Sequence, residues 1–181
     1  MDRIDSILGY IEPKLDEKFL ENKEEINNQF LKNKEQIKEE FFNKIIKLVV
    51  RKGNTNPIYI IISPLKTSLI TKKYELALGC YDENLYLDKE SIYEYFSIKC
   101  LFKSVEKDID YIKKEINKEF VRFLDFELKE IMLKYEYRYM EMYLEYVKEL
   151  LNEIDKLEID KKLIILYGEY MEKSFVLKEI N

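Results

Sequence analysis

Apolar residues recur every eleven positions along the first fifty residues of the chain. Eleven residues over three turns give about 3.67 residues per turn, so close to the α-helix that such a row stays on one helix face. The pattern therefore predicts a long, nearly straight N-terminal helix with a narrow apolar stripe. We name this stripe the helical seam, and its members are Leu8, Leu15, Phe19, Ile26, Phe30, Ile37 and Phe41.

Prolines and a glycine limit the predicted helix. Pro13 lies far inside the first segment, where proline removes a hydrogen bond and clashes with the preceding turn, so we expect a break near residues 11–13. At the other end, Arg51 is followed by Gly53 and Pro57, a combination that is typical of a helix C-terminus. The helix should therefore end near this arginine.

Strand-like patterns follow in the middle of the chain. Residues 58–62 form a short β-branched and aromatic run, which predicts a buried strand. Residues 73–80 alternate between larger apolar side chains and small or charged ones, and a turn then leads into residues 85–87, so we expect a hairpin. We expect a short helix over residues 92–96, whereas residues 98–102 fit a strand or a helix and we favour the strand.

Helical periodicity returns at about residue 104 and continues to about residue 154, which predicts one or two long helices. Residues 163–177 suit a final hairpin, with a helix as the alternative. The predicted fold class is α+β, with a long N-terminal helix and a long C-terminal helix packed together against a small, mostly antiparallel sheet. We expect an extended helical arm over residues 1–50 and an α+β core over residues 51–181, in one folded unit.

The residue types that the chain lacks exclude several kinds of catalysis. With no histidine, the 181-residue chain cannot supply Cys-His or Ser-His-Asp catalysis or a histidine-containing zinc site. Its four glycines cannot form a glycine-rich phosphate loop or a dinucleotide fingerprint. Cys80 and Cys100 lie among apolar neighbours, and we interpret both as buried, reduced thiols. We therefore expect no enzyme, no cofactor and no metal site.

The apolar runs of the chain are short. None reaches the roughly 18 to 20 residues that cross a bilayer, and the N-terminus lacks the basic flank and apolar core of a signal peptide. We therefore expect a cytoplasmic protein. Lysine supplies most of the basic residues, which is typical of an A- and T-rich bacterial genome, so individual lysines carry little functional weight.

The charge distribution nevertheless marks one segment. No acidic residue occurs between Glu40 and Glu75, although the chain has a net charge of −5. The cations of this basic segment are Lys44, Lys47, Arg51, Lys52, Lys66, Lys72 and Lys73. Polar residues accompany them at Asn54, Thr55, Asn56, Ser63, Thr67, Ser68 and Thr71. Such a segment predicts a site for a polyanion such as nucleic acid. The alternative is structural, with lysines that complement a helix end and protect strand edges.

Two apolar features are candidate interaction surfaces. The helical seam suits one partner helix, either the chain's own C-terminal helix in an antiparallel pair or a second copy in a homodimer. A lipid surface is least favoured, because charges of both signs flank the seam. The second candidate surface is a group of tyrosines that fits a partner's groove or the protein core, and it comprises Tyr135, Tyr137, Tyr139 and Tyr143.

The sequence favours a non-enzymatic interaction or accessory protein that uses the helical seam for self-association or for a protein partner. The alternative is binding of nucleic acid or another polyanion through the basic segment, residues 44–73. Salt separates the two hypotheses, because binding to a phosphate backbone weakens steeply with salt and an apolar seam does not.

Overall fold

The computed structural model describes residues 3–97, 99–122, 124–169 and 171–181, without the side chains of residues 100, 101 and 103. In chain order, its helices and strands are α1 (Arg3–Arg51), β1 (Ile58–Pro64), α2 (Lys66–Ile70), β2 (Glu75–Tyr81), β3 (Ile92–Ser97), α3 (Lys103–Glu119), α4 (Asp125–Leu151), β4 (Leu163–Gly168) and β5 (Ser174–Ile180). The described residues thus form long N-terminal and C-terminal helices and a five-stranded sheet, which confirms the predicted α+β class.

Helix α1 continues through Pro13, so the break predicted there is wrong. Ile7 and Leu15 are buried on either side of the proline, and burying such a side chain stabilises by about 1.5–3 kcal/mol. Proline in a helix interior costs about 3 kcal/mol, so burial on both sides outweighs the cost. Pro13 and Gly9 are also exposed, and water can therefore bind the Gly9 carbonyl that loses its helical partner.

The end of α1 agrees with the prediction. The backbone N–H of Lys52 still donates to the Leu48 carbonyl at 2.9 Å. Gly53 then adopts a φ of 63°, in the left-handed region that glycine enters without steric cost. This conformation stops the helix immediately after Arg51 and turns the chain towards β1.

The strands have the order β3-β2-β1-β4-β5. All neighbours are antiparallel except β1 and β4, which are parallel and place Ile58 opposite Leu163. The hairpin predicted for residues 163–177 is confirmed by the β4–β5 pair. The sheet is therefore mostly antiparallel, as the sequence predicted.

Three predictions in the middle of the chain are wrong. Leu85–Leu87 forms a 3₁₀ turn and not a strand, and residues 92–96 belong to β3 and not to a helix. Residues 92–96 form a strand because burial alternates along them: the even-numbered side chains of β3 are buried or half-buried, and its tyrosines lie on the opposite face. The strand favoured for residues 98–102 is replaced by a 3₁₀ turn over Lys99–Phe102, and residue 98 lies outside the described residues.

The chain divides into two compact units. Unit 1 comprises Met1–Asn33 and Lys99–Met140, and unit 2 comprises Lys34–Ile98 and Glu141–Asn181. This division differs from the predicted arm and core, because α1 and α4 each contribute residues to both units. Each unit therefore has its own set of helix contacts.

In unit 1, α3 runs antiparallel to the first part of α1. The Lys14 ammonium contacts the Glu115 carboxylate at 2.5 Å, and the Asn22 amide donates to Asp108 at 2.5 Å. Residue numbers thus rise along α1 while they fall along α3. The Lys14 pair is the principal reason that the pKa of Lys14 is raised.

Helix α4 runs parallel to α1 in the same unit, which corrects the expectation of an antiparallel pair. Arg3 donates to Glu127 at 2.7 Å, and further along both helices Arg138 contacts Asp16. The order of the helices along the chain explains this direction. Helix α3 runs opposite to α1, and α4 reverses direction again after the turn that follows α3, so α4 is parallel to α1. Unit 2 repeats this arrangement with ion pairs from Lys34 and Lys38 of α1 to Glu149 and Glu153.

A carboxylate fixes the start of α4. Glu127 accepts a hydrogen bond from the backbone N–H of Leu124 at 2.8 Å, as in a capping box. This bond, together with the Arg3 contact, lowers the pKa of Glu127. The turn between α3 and α4 is thereby tied to the beginning of α1 within unit 1.

In unit 2, residues 34–51 of α1 cover one face of the sheet. The rings of Phe41 and Phe96 have centroids 5.1 Å apart, and the Cys80 thiol lies 4.0 Å from the Leu48 carbonyl oxygen. Burial raises the pKa of the Cys80 thiol to about 11. This confirms a buried, free thiol at Cys80, whereas the prediction for Cys100 lies outside the described side chains.

Candidate ligand-binding groove on the sheet

Three cations of the basic segment converge on one carboxylate. Glu94 of β3 is buried beneath α1 and contacts Lys47 at 2.6 Å, Arg51 at 3.0 Å and Lys44 at 3.4 Å. The hydrogen bond from Lys47 is the largest cause of the lowered pKa of Glu94. These cations therefore join α1 to an edge strand inside unit 2, a role that the sequence did not indicate.

The Glu94 cluster should make stability depend on pH. Because the folded-state pKa lies below the ordinary 4.5, the cluster stabilises the fold above that pH and ceases to do so as the pH falls through the folded-state pKa. We expect Glu94→Gln to lower the free energy of unfolding by about 1–2 kcal/mol at neutral pH. The difference from wild type should shrink as urea unfolding is repeated at progressively lower pH, and a constant difference would contradict the assignment.

Lys52 forms a buried ion pair with Asp88. Its ammonium also donates to the Glu90 carbonyl at 3.0 Å, and Asp88 accepts the backbone N–H groups of Asp82 and Glu90. Burial alone would raise the pKa of Asp88, but these hydrogen bonds outweigh it and the pKa is lowered. Lys52 is therefore a core residue of unit 2 and not a surface cation.

The last three cations of the basic segment differ from one another. Lys66 contacts Glu169 at 2.8 Å. Lys72 and Lys73 are exposed, and within the described part of the chain neither ammonium forms an ion pair. The structure thus pairs five of the seven cations of the basic segment internally, and Lys72 and Lys73 have no ion pair among the described residues.

Lys73 lines an open groove on the face of the sheet opposite α1, which we name the outer-face groove. Its volume of about 740 Å³ lies in the range of ligand sites, and all its lining residues belong to unit 2. The lining side chains combine hydroxyls at Ser63, Thr67, Ser68 and Thr71 with three tyrosines, one lysine and one carboxylate. The sequence had placed the hydroxyls and Lys73 in one segment, and the strands add the tyrosines.

Small residues create the groove between the tyrosines. Tyr93 lies opposite Gly79 and Tyr95 lies opposite Ala77 of β2, so neither of the paired β2 residues carries a large side chain on this face. Tyr81 folds over Gly79, and its hydroxyl donates to that of Tyr93 at 3.0 Å. These residues were missed in the sequence, although the alternation of tyrosine with Glu94 and Phe96 is a strand signal.

Gly79→Ala should disturb the groove. A Cβ at Gly79 would lie 2.6 Å from the Tyr81 hydroxyl oxygen, so the buried Tyr81 ring would have to shift and lose its packing against Tyr93. We expect a loss of about 1–3 kcal/mol in the free energy of unfolding, measured in urea, and a changed tyrosine near-UV spectrum. Gly9→Ala is the matched control, because nothing lies within 4 Å of its Cβ and alanine should stabilise the helix by about 0.5–1 kcal/mol. Equal effects of the two substitutions would contradict this account.

Hydrogen bonds hold the loop that carries Lys73. Ser68 donates its hydroxyl to the Leu65 carbonyl at 2.8 Å and accepts the backbone N–H of Glu75 at 3.1 Å. The backbone N–H of Lys73 donates to the Ser68 carbonyl at 2.9 Å, and Thr71 caps the same turn. The position of the Lys73 backbone is therefore set before any ligand arrives.

An apolar cluster adjoins the groove on the outer face. Ile61, Tyr81 and Leu166 are buried there, and the partly buried side chains around them include Tyr59 and Ile164. Ile61 and Tyr81 also line the groove. The groove thus passes from an apolar floor to a polar end at Lys73.

The helical seam lies largely inside the chain. Its buried members are Leu15, Ile26, Phe30 and Phe41, and its half-buried members are Leu8, Phe19 and Ile37. Phe19 contacts Tyr139 of α4 edge to face, with ring centroids 5.0 Å apart, inside unit 1. The neighbouring row, with Leu20 and Leu31, is exposed instead.

The tyrosines of α4 are mostly core residues. Tyr135, Tyr139 and Tyr143 are buried, and Tyr137 is half-buried. The Tyr135 hydroxyl donates to Asp108 at 2.6 Å. Burial raises the pKa of Asp108 despite this bond. The arrangement agrees with the structural alternative for these tyrosines.

Metal sites and membrane-spanning helices are two further possibilities. Across the described ranges, no group of three or more Cys, Asp or Glu side chains is arranged to hold a metal ion. Among the helices as far as they are described, none combines the length and apolar character that crossing a bilayer requires. Comparisons with protein-family models, curated proteins and solved structures found no match.

Proposed function

We propose that this protein is a non-enzymatic interaction or accessory protein that binds its ligand in the outer-face groove. The observation that carries the proposal is the meeting of open tyrosine rings, hydroxyl groups and a lysine without an ion pair among the described residues. Ligand sites typically combine such an apolar surface with a few polar groups that fix orientation. We place this function in the cytoplasm, following the sequence-based expectation.

Self-association through the helical seam is the less favoured form of this proposal. The deepest seam side chains, such as Phe30 and Phe41, are covered by their own chain. A second copy would have to use the exposed row with Leu20 and Leu31. Light scattering gives the test, since a mass of twice 22.1 kDa that falls to 22.1 kDa in a Leu20→Lys, Leu31→Lys variant would support a homodimer.

Polyanion binding is the second candidate function. The ion pairs of the basic segment reduce the number of cations that could bind such a ligand. Of the seven cations in the basic segment, Lys72 and Lys73 form no ion pair within the described ranges, and Lys73 lines the groove. Two lysines contribute little affinity for a long polyanion. The polyanion hypothesis therefore leads to the same groove, with an anionic group of the ligand at Lys73.

Gly79 offers a direct test of groove binding. Its amide lies in the groove lining, whereas Gly9, Gly53 and Gly168 lie elsewhere, and glycine amides are well separated in a nitrogen–proton NMR spectrum. We would titrate AMP, glucose, free tyrosine and inorganic phosphate in turn. A saturable shift of the Gly79 amide with at least one probe, while the Gly9 amide stays in place, is the expected result. If no probe moves the Gly79 amide, the groove proposal is wrong.

A further inference from the structure

We propose that the outer-face groove binds a nucleotide unit, with the base stacked on Tyr95 and the phosphate at Lys73. This inference rests on the proposed function, because it names the chemistry of the ligand in the same groove. The nucleotide can be free or part of a single strand, since both present the same planar base and the same phosphate. The experiment below separates these two sources.

Exposed tyrosines on β3 supply the stacking surface for the base. Tyr95 is 52% exposed and Tyr93 is 37% exposed, and both rings lie on the outer face of an edge strand. Tyr93 already packs edge to face against Tyr81, with ring centroids 5.9 Å apart, so the more exposed Tyr95 offers the stacking platform. Every base has a π-face, and base stacking on aromatic side chains is a general mode of binding unpaired nucleotides.

The phosphate position is the second step. Lys73 lines the same groove, and the ammonium has no carboxylate partner among the described residues. The Ser97 hydroxyl lies 3.5 Å from the Lys73 carbonyl oxygen, which places Lys73 beside the strand that carries Tyr95. The exposed hydroxyl residue Thr67 lines the same groove. Lysine and hydroxyl groups are common phosphate ligands.

Charge selects a nucleotide over other ligands. Glu75 also lines the groove, so a polymer that presents only negative charges would meet a carboxylate in the same groove. A neutral sugar would leave the Lys73 charge unused. A nucleotide offers a partner to both charged groups of the groove. Its phosphate pairs with Lys73, and amino groups on its base edge can donate to a carboxylate such as Glu75.

The experiment measures fluorescence polarisation of labelled single-stranded DNA and RNA of about ten nucleotides at about 50 mM salt. We expect Tyr95→Ala to weaken binding by roughly 5- to 150-fold, the range for losing one stacked base. Tyr111→Ala, at a tyrosine of unit 1 that is not among the groove-lining residues, is the matched control and should leave affinity unchanged. Melting curves check that both variants fold, which the exposure of Tyr95 leads us to expect.

The phosphate contact has its own matched pair. Lys73→Gln should weaken binding and reduce the slope of log affinity against log salt by about 1. Lys72→Gln removes the same charge from the adjacent residue outside the groove lining and should have a smaller effect. Equal effects of the two substitutions would overturn the assignment of the phosphate to Lys73.

Titration with AMP distinguishes a free nucleotide from a single strand, and it shows which of the two proposals is wrong if binding fails. A Gly79 amide shift with AMP, without tighter binding of the oligomers, assigns a free nucleotide, and tighter oligomer binding assigns a single strand. Competition by base-free polyphosphate as strong as that by the oligomers, with no effect of Tyr95→Ala, would overturn the nucleotide inference. If AMP and the oligomers fail while glucose or tyrosine moves the Gly79 amide, the inference is wrong but groove binding stands. If every probe fails, both proposals are wrong.

Discussion

Lys52→Met should lower the free energy of unfolding by about 3–5 kcal/mol, the cost of leaving a buried charge without its partner. The side chains of Lys52 and Asp88 are only 4% and 2% exposed in the ion pair. Methionine fills a similar volume but leaves the Asp88 carboxylate without a cation. Urea unfolding followed by circular dichroism measures the loss.

Two variants test this explanation of the Lys52 effect. Asp88→Asn, added to Lys52→Met, removes the buried charge and keeps an oxygen that can accept backbone N–H groups, so we expect it to restore part of the stability. Lys47→Met is the single-site control, because this lysine is 55% exposed and Glu94 retains two other cations. A loss at Lys47 as large as that at Lys52 would show that burial is not the cause.

Phe41→Ala is expected to lower the free energy of unfolding by about 3–5 kcal/mol. The Phe41 ring is fully buried and contacts both Phe42 and Phe96, so its removal leaves a cavity between α1 and the sheet in unit 2. The same urea titration gives the result. The effect follows from the seam as a core element and requires no second copy of the chain.

Val50→Ala is the matched control for Phe41→Ala. Val50 lies on the same helix and in the same unit but is 71% exposed, so its truncation should change stability by less than about 0.5 kcal/mol. A small effect of Phe41→Ala in a monomer would contradict the placement of the seam in the core. Protein concentration should not alter either result if the seam is internal.

The elements with strong local signals could be predicted from the sequence. The eleven-residue repeat gave the length of α1, because a row with that period must remain on one helix face. Residues 58–62 were correctly predicted as a strand, and so was the hairpin of the tail. For α1 and the strand at residues 58–62 the local pattern alone indicated the structure, whereas the pattern of the tail also allowed a helix.

The errors arose where distant contacts decide the outcome. The local cost of Pro13 was estimated correctly, but the burial of Ile7 and Leu15 that offsets it depends on the folded unit. The helix expected over residues 92–96 is a strand in which cations of α1 bury Glu94, and a lone glutamate gives no sign of those cations in the sequence. The direction of α4 follows from the return path of α3, which no periodicity encodes.

Only part of the candidate groove could be predicted from the sequence, again because contacts between distant residues form the rest. Its hydroxyls and Lys73 lie in one stretch of sequence, whereas Tyr93 and Tyr95 reach the groove through strand pairing with Ala77 and Gly79. Two of the seven predicted cations remain without ion pairs in the described part of the chain. The sequence cannot show which two, because Glu94, Asp88 and Glu169 lie far from their partners along the chain.

The parallel pairing of α1 and α4 has a consequence for synthesis of the chain. Unit 1 joins Met1–Asn33 to a segment that begins at Lys99, and β1 of unit 2 pairs with a strand that begins at Leu163. Ribosomes add about 5–20 residues per second, so α1 waits several seconds for partners that are still being made. Its seam stays uncovered throughout that interval, and its burial depends on contacts between residues far apart along the chain, a topology that slows folding.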